Sequence, residues 1–207
     1  MADSPVHRVP RWLKLAFSLW VLIWAPSYAV LLGPQNFFWL CNVANFLLLV
    51  ALWTEHRTLM SMQWLAVALV GSLWTFDVAT AAFTGVHPIG GTEYMFNPEH
   101  PPMTRAMSLY HVVLPLVAGI GVAKLGYARR ALLWQTLLTW VVVPLSYLLT
   151  DAERNINWVH GPFGQPQDSL DPLLYLLLLA LIWPVAVYLP LHLVMVGGQR
   201  WRGKKPG

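Results

Sequence analysis

Long apolar stretches, separated by short polar connections, dominate the hydrophobic pattern of this chain. A helix needs roughly 20 apolar residues to cross the hydrocarbon core of a bilayer. Six stretches of that order carry few or no charges, and they predict helices over residues 11–32, 35–54, 61–83, 108–127, 129–150 and 172–196. The pattern therefore predicts an all-α polytopic membrane protein with six transmembrane helices, forming a single domain over residues 1–207.

The first apolar stretch has a second interpretation. It follows a basic start and ends near Ser27, Tyr28 and Ala29, which are also features of a cleaved signal peptide. Its length is sufficient for a full membrane crossing, and we predict a retained helix.

Composition agrees with the hydrophobic pattern. Hydrophobic residues make up 57% of the 207 residues and charged residues 11%, whereas soluble proteins carry about 25% charged residues. The chain has one cysteine, which excludes an internal disulfide framework, and it has no paired-cysteine motif typical of structural zinc.

The distribution of Lys and Arg predicts the orientation, because short cytoplasmic loops carry an excess of both. An even number of helices leaves only Arg105 and Arg154 on one side. Eleven basic residues lie on the other side: Arg8, Arg11, Lys14, Arg57, Lys124, Arg129, Arg130, Arg200, Arg202, Lys204 and Lys205. We expect both termini to be cytoplasmic. The net charge of +4 then reflects topology and contact with anionic lipid, and it requires no nucleic-acid partner.

Two long connections, residues 84–107 and 151–171, are predicted on the exoplasmic side, and they hold most of the remaining polar chemistry. Loops of this length in compact proteins are more often ordered lids or binding elements than disordered segments, and disorder is the alternative. Their candidate polar residues are His87, Glu93, Glu99 and His100 in the first, and Asp151, Glu153, Arg154, Asn155, Asn157 and His160 in the second.

Three chemically active side chains are predicted at similar depth on the exoplasmic side. The helical rise places Cys41 and Asp77 roughly 9 Å, and His111 roughly 5 Å, from the ends of their helices. A thiol beside an imidazole is the minimum requirement for nucleophilic attack on a lipid ester. An ionisable residue inside the membrane is costly and marks either function or a paired polar contact. We therefore predict Cys41, His111 and Asp77 as candidate catalytic residues.

Each of these residues also has a purely structural interpretation. Asp77 could join helices through Asn45 or Tyr110. His111 could cap the start of its helix, and Cys41 could be a small buried hydrophobe.

A resemblance to a known family supports the catalytic interpretation. Residues 108–116, SLYHVVLPL, resemble the segment around the catalytic histidine in the androgen-induced protein family, which comprises multi-helix membrane hydrolases of fatty-acid esters of hydroxy fatty acids. The nucleophile of that family is a threonine that follows a segment rich in glycine and aromatic residues. Here the similar segment, residues 33–40, is followed by Cys41. In this respect the chain resembles the related membrane acyltransferases typified by transmembrane protein 164. The similarity covers about a third of the chain.

The resemblance implies that His111 takes the proton of Cys41 and that the thiolate attacks an acyl ester, forming a thioester. Water or a second lipid alcohol would then remove the acyl group, so the partner is a membrane lipid or fatty-acyl ester and no cofactor is needed. Depth alone adds Asp77 as the group that orients the imidazole. Candidate residues for binding the substrate or its oxyanion are Asn42, Asn45, Tyr110, Asn157 and His160.

Two further functions remain open from the sequence. The first is an exoplasmic metal site, possible for zinc with imidazole and carboxylate ligands from His87, Glu93, His100 and His160. Bis-histidine haem is disfavoured, because His111 and His192 lie at different depths. The second is a non-enzymatic subunit or assembly factor of a larger membrane complex or homo-oligomer, in which Asp77 and Asn45 would join helices. The expected location is a bacterial inner membrane.

Overall fold

The computed structural model describes residues 8–202 and is built of helices. Lys204 and Lys205, counted above for orientation, lie outside these residues. The α-helices of the described chain are α1 (Arg11–Leu32), α2 (Leu40–Thr54), α3 (Arg57–Thr84), α4 (Pro102–Met107), α5 (Tyr110–Leu125), α6 (Ala131–Leu149), α7 (Pro172–Ile182) and α8 (Leu189–Arg202).

Five helical segments of the described chain are long and apolar enough to cross a membrane, which confirms the all-helical membrane architecture. They are Arg11–Leu32, Arg57–Thr84, Pro102–Leu125, Ala131–Leu149 and Pro172–Trp201. Large apolar side chains such as Leu22 and Leu148 are exposed on their outer faces. The remaining apolar helix, α2, has 15 residues and rises about 22 Å, less than a hydrocarbon core of roughly 30 Å. A complete sixth crossing therefore stays a prediction.

The predicted start of the second helix, residue 35, is wrong. Pro34–Phe38 forms a 3₁₀ turn instead, and Trp39 is extended, with φ −55° and ψ 130°. Proline favours such a turn because its φ is fixed and it has no N–H to donate. As a result α2 begins at Leu40, and Cys41 is the second residue of the helix.

The start of the third predicted helix and the first long connection also differ from the prediction. Helix α3 begins at Arg57 rather than residue 61, because the His56 Nδ1 atom accepts a hydrogen bond from the Leu59 N–H at 3.1 Å and caps the first turn. The connection over residues 84–107 is partly helical, since α4 precedes α5.

The last apolar segment, predicted as one helix over residues 172–196, is interrupted and longer. A π-helical turn over Trp183–Tyr188 joins α7 to α8. It contains Pro184, whose missing N–H prevents the regular helical hydrogen bond at that point.

The short connections, between α2 and α3 and between α5 and α6, lie at one end of the bundle. The Lys14 ammonium pairs with the Glu55 carboxylate at 2.6 Å, so the start of α1 meets the end of α2. The Tyr127 carbonyl accepts hydrogen bonds from Arg57 and Gln199, both at 2.7 Å, which joins the second short connection to α8. The two long connections lie at the opposite end. This grouping agrees with the predicted topology, although the membrane side that each end faces stays a prediction.

The core lies where α1, α2, α3 and α5 pack together, with Leu48, Leu52 and Met60 fully buried. Glycines allow α3 and α5 to approach closely. A Cβ atom at Gly71 would lie 2.5 Å from the His111 carbonyl oxygen. This close approach brings the middle of α3 against the first turn of α5.

Candidate active site

The first turns of α2 and α5 meet at a narrow internal cavity. Cys41 and His111, each the second residue of its helix, both line it. The cavity volume is ≈ 10 Å³, which is room for about one water molecule. The remaining lining residues are Ala66, Val67, Val70, Gly71 and Leu114. Both residues that the sequence paired therefore line one cavity, which is otherwise lined by apolar side chains and glycine.

The thiol of Cys41 has a hydroxyl as its hydrogen-bond partner. Its Sγ atom lies 3.1 Å from the Tyr110 hydroxyl oxygen, and either atom can donate. Tyr110 is 3% exposed and Cys41 is partly exposed, so this contact is partly buried. Among residues 8–202, the side-chain hydrogen bond of this thiol is to Tyr110 and not to His111. Tyr110, expected as a substrate or oxyanion group, therefore already contacts the candidate nucleophile.

The imidazole of His111 is held in one tautomer and one orientation. Its Nδ1 atom lies 2.9 Å from the Ser108 carbonyl oxygen, which can only accept, so Nδ1 carries the hydrogen. In the neutral ring, Nε2 is then left with a lone pair. The ring also stacks against Trp74, with centroids 4.9 Å apart and planes 21° apart. The tautomer therefore leaves Nε2 as the ring atom that can accept a proton.

Asp77 has a different role from the one expected. Its buried carboxylate accepts hydrogen bonds from the Ile89 N–H at 2.7 Å, the Gly90 N–H at 3.1 Å, the His87 Nδ1–H at 3.0 Å and the Thr92 hydroxyl. All four donors belong to the first long connection. Asp77 therefore anchors that connection, and the group that orients the candidate base is a backbone carbonyl.

The two asparagines of α2 use their amides within the protein. The Asn42 Nδ2 atom donates to the Tyr28 hydroxyl at 2.9 Å and to the Asn36 carbonyl at 2.7 Å. The Asn45 Nδ2 atom lies 3.4 Å from the Cys41 carbonyl, and its Oδ1 atom accepts from Trp20 at 3.1 Å. Neither residue lines the cavity. Their donors bond other groups of the protein, so the expected oxyanion role has no geometric support in this structure.

The two candidates in the second long connection are also separated from the cavity lining. Asn157 is buried, and its amide binds the start of α2. The His160 ring packs on Tyr147 with centroids 4.9 Å apart, and its buried Nε2 atom has no hydrogen-bond partner among residues 8–202.

The first long connection also supplies Tyr94, whose hydroxyl accepts a hydrogen bond from the Trp74 indole at 3.2 Å. Burial raises the pKa of Tyr94, so this hydroxyl stays protonated near neutral pH. Trp74 thus links the connection to the imidazole on which it stacks.

The residues proposed for an exoplasmic metal site do not converge. Within residues 8–202, no group of three or more His, Cys, Asp or Glu side chains is arranged to hold a metal ion. His87 is instead bound to the Asp77 carboxylate.

Three contributors to the site were missed from the sequence: Gly71, Trp74 and the Ser108 carbonyl. A glycine inside an apolar helix is a recognised signal of close helix packing, and it would have placed Gly71 at an interface. The other two contacts depend on how α3 crosses α5, which a hydrophobic pattern does not specify.

Comparison with protein-family models, with curated proteins and with solved structures gives no match for this chain. The fold and the site nevertheless define a class: an all-helical integral membrane protein with a thiol and an imidazole on one small cavity.

Proposed function

We propose that this protein is a membrane lipid acyl hydrolase or acyltransferase in which Cys41 is the nucleophile and His111 the general base. One observation carries the proposal: both side chains line the same cavity, and the hydrogen bond from Nδ1 leaves Nε2 as the proton acceptor. The resemblance of residues 108–116 to the androgen-induced protein family, with Cys41 in the place of that family's threonine nucleophile, supports the same chemistry.

In the first half of the reaction, the His111 Nε2 atom takes the proton of the Cys41 thiol. The thiolate attacks the carbonyl carbon of an acyl ester, forming a C–S bond. The ester C–O bond then breaks, and the alcohol leaves with the proton held by His111. The Tyr110 hydroxyl, 3.1 Å from Sγ, donates to the thiolate before attack.

In the second half, His111 removes a proton from water or from the hydroxyl of a second lipid. The resulting oxygen nucleophile attacks the thioester carbonyl, the C–S bond breaks, and the Cys41 thiol is regenerated with the proton from His111. A fatty acid is released when water reacts, and a new ester forms when a lipid alcohol reacts.

The cavity must open before an ester can bind. A volume of ≈ 10 Å³ excludes an acyl carbonyl and its chain. Opening of this kind is common in enzymes that exclude water from a reactive intermediate. We infer that the structure represents the resting, closed state, with substrate entering from the membrane at the end that holds the two long connections.

The test is lipid turnover by the purified protein in micelles containing a phospholipid with a labelled acyl chain, with and without an added lysophospholipid acceptor. We expect Cys41→Ala and His111→Asn each to lower turnover by at least roughly 100-fold. Release of fatty acid would identify hydrolysis, and a labelled new ester would identify transfer.

His192→Asn is the matched control, because this imidazole lies at the other end of the bundle, 2.7 Å from the Tyr127 hydroxyl. It should keep wild-type turnover. Equal turnover by the wild type, Cys41→Ala and His111→Asn would overturn the proposal and favour a non-enzymatic subunit.

A further inference from the structure

The second long connection reaches the backbone directly before α2 through one side chain. The Asn157 Oδ1 atom accepts a hydrogen bond from the Leu40 N–H at 2.9 Å. Its Nδ2 atom donates to the Phe38 carbonyl at 2.7 Å and to the Ser146 Oγ atom at 2.9 Å. Asn157 is 1% exposed. A single buried amide therefore holds the chain on both sides of the break that precedes α2.

This contact replaces an ordinary helix cap. The first N–H groups of a helix have no acceptor within the helix and are usually satisfied by the side chain at the N-cap. Trp39 occupies the N-cap of α2, and its indole has no oxygen to accept a hydrogen bond. Asn157 supplies the missing acceptor to Leu40, the residue next to Cys41.

The backbone of Asn157 explains why an asparagine serves here. It has a positive φ of 54°, a conformation that Asn and Gly adopt more readily than other residues. Nearby Asn155 shares this property, with φ 43° and 4% exposure. Its side chain binds the Gly161 carbonyl and the His160 N–H, both at 2.8 Å within the same connection, so it is a matched comparison.

Other hydrogen bonds hold the connection in place independently of Asn157. The Arg154 guanidinium donates to the Leu32 carbonyl at 2.7 Å. The Gln35 amide donates to the Asp151 carboxylate at 3.0 Å and accepts from the Asp151 N–H at 2.8 Å. Loss of the Asn157 side chain should therefore release the start of α2 without detaching the whole connection.

We propose that Asn157 is a positioning residue for Cys41. By fixing the first turn of α2, it keeps the thiol against the Tyr110 hydroxyl and on the cavity shared with His111. Its contribution to acyl chemistry rests on the proposed function, whereas its effect on the thiol does not.

The test compares Asn157→Gly with Asn155→Gly, since glycine tolerates the positive φ at both positions. Intact mass spectrometry would follow alkylation of the single cysteine by iodoacetamide and, separately, its acylation by a phospholipid ester. In Asn157→Gly we expect faster alkylation, because the partly buried thiol is released from its contact with the Tyr110 hydroxyl. We expect acylation slower by roughly 10- to 100-fold. The final acylated fraction should equal that of the wild type, and Asn155→Gly should keep both wild-type rates.

If Asn157 only stabilised the fold, its loss would lower the fraction of protein that reacts and leave the rate of reaction unchanged. Equal effects of the two glycine variants, or a lower acylated fraction at an unchanged rate in Asn157→Gly, would overturn the proposal. If Asn157→Gly does not fold, Ser146→Ala removes one of the three partners and should shift both rates in the same directions by less; unchanged rates would overturn the proposal. Absence of acylation in the wild type would count against the proposed function, while the alkylation rates would still test the position of the thiol.

Discussion

Two neighbouring residues, Tyr110 and His111, contribute to the candidate site in different ways. The Tyr110 hydroxyl lies 3.1 Å from the Cys41 Sγ atom, while the His111 ring is fixed by the Ser108 carbonyl. Consecutive positions on a helix lie about 100° apart, so one turn can supply a hydroxyl and an imidazole to different parts of one site. We therefore assign stabilisation of the thiolate to Tyr110 and proton transfer to His111.

Tyr110→Phe tests the first of these assignments. The aromatic ring, and with it the packing, is kept, but the thiolate loses a donor. We expect acylation to slow by roughly tenfold, equivalent to about 1.5 kcal/mol. Tyr188→Phe is the control, since this equally buried hydroxyl bonds Thr139 in another part of the bundle. Single-turnover acylation of both variants is the measurement, and equal rates for Tyr110→Phe and the wild type would exclude the assigned role.

Asp77→Asn separates anchoring from catalysis. An amide offers one acceptor oxygen where the carboxylate accepts four hydrogen bonds, so the first long connection should loosen by about 1–3 kcal/mol. Limited proteolysis should cleave residues 85–92 faster, while the acylation rate stays within a few-fold of the wild type. A loss of roughly 10⁴-fold in rate with unchanged proteolysis would restore the triad role predicted from the sequence.

For the single helices, the length of each apolar stretch predicted a helix there, but turns and capping hydrogen bonds determine the residue at which a helix begins. Residue 35 was predicted as a helix start because apolar side chains run from there without a break. The structure starts α2 at Leu40, since Pro34 favours a 3₁₀ turn and the cap comes from Asn157, far away in sequence. The cavity that Cys41 and His111 both line agrees with their similar predicted depth, while a catalytic pairing stays a prediction. The partners of Asp77 could not be predicted, because its donors come from a connection with no periodic pattern.

Gly71→Ala tests whether contact between α3 and α5 positions the imidazole. The new Cβ atom would lie 2.5 Å from both the His111 carbonyl oxygen and the Pro115 Cγ atom, so the helices must shift apart. We expect a stability loss of about 1–3 kcal/mol together with slower acylation. Gly197→Ala is the control, because no other part of the described chain outside its own helix lies within 4 Å of the added Cβ atom, and helix propensity alone favours alanine. Thermal unfolding and acylation would be measured for both; equal behaviour would contradict this account of packing.

For the molecule as a whole, the contacts place the short connections at one end and the long connections at the other. The sequence contains one cysteine, so Cys41→Ala gives a cysteine-free background for mapping topology. In spheroplasts, a membrane-impermeant maleimide should label Glu99→Cys and Gly164→Cys directly. Lys124→Cys should react only after permeabilisation. Labelling of Lys124→Cys in intact spheroplasts would reverse the predicted orientation, and labelling at both ends would contradict a single topology.

The claim that Cys41 carries an acyl group can be tested by intact mass spectrometry of the protein after incubation with phospholipid. We expect an added acyl mass on the wild type that neutral hydroxylamine removes, because hydroxylamine cleaves thioesters. The added mass should be absent from Cys41→Ala and strongly reduced in His111→Asn. An unmodified wild-type protein, or an adduct that persists in Cys41→Ala, would contradict the claim.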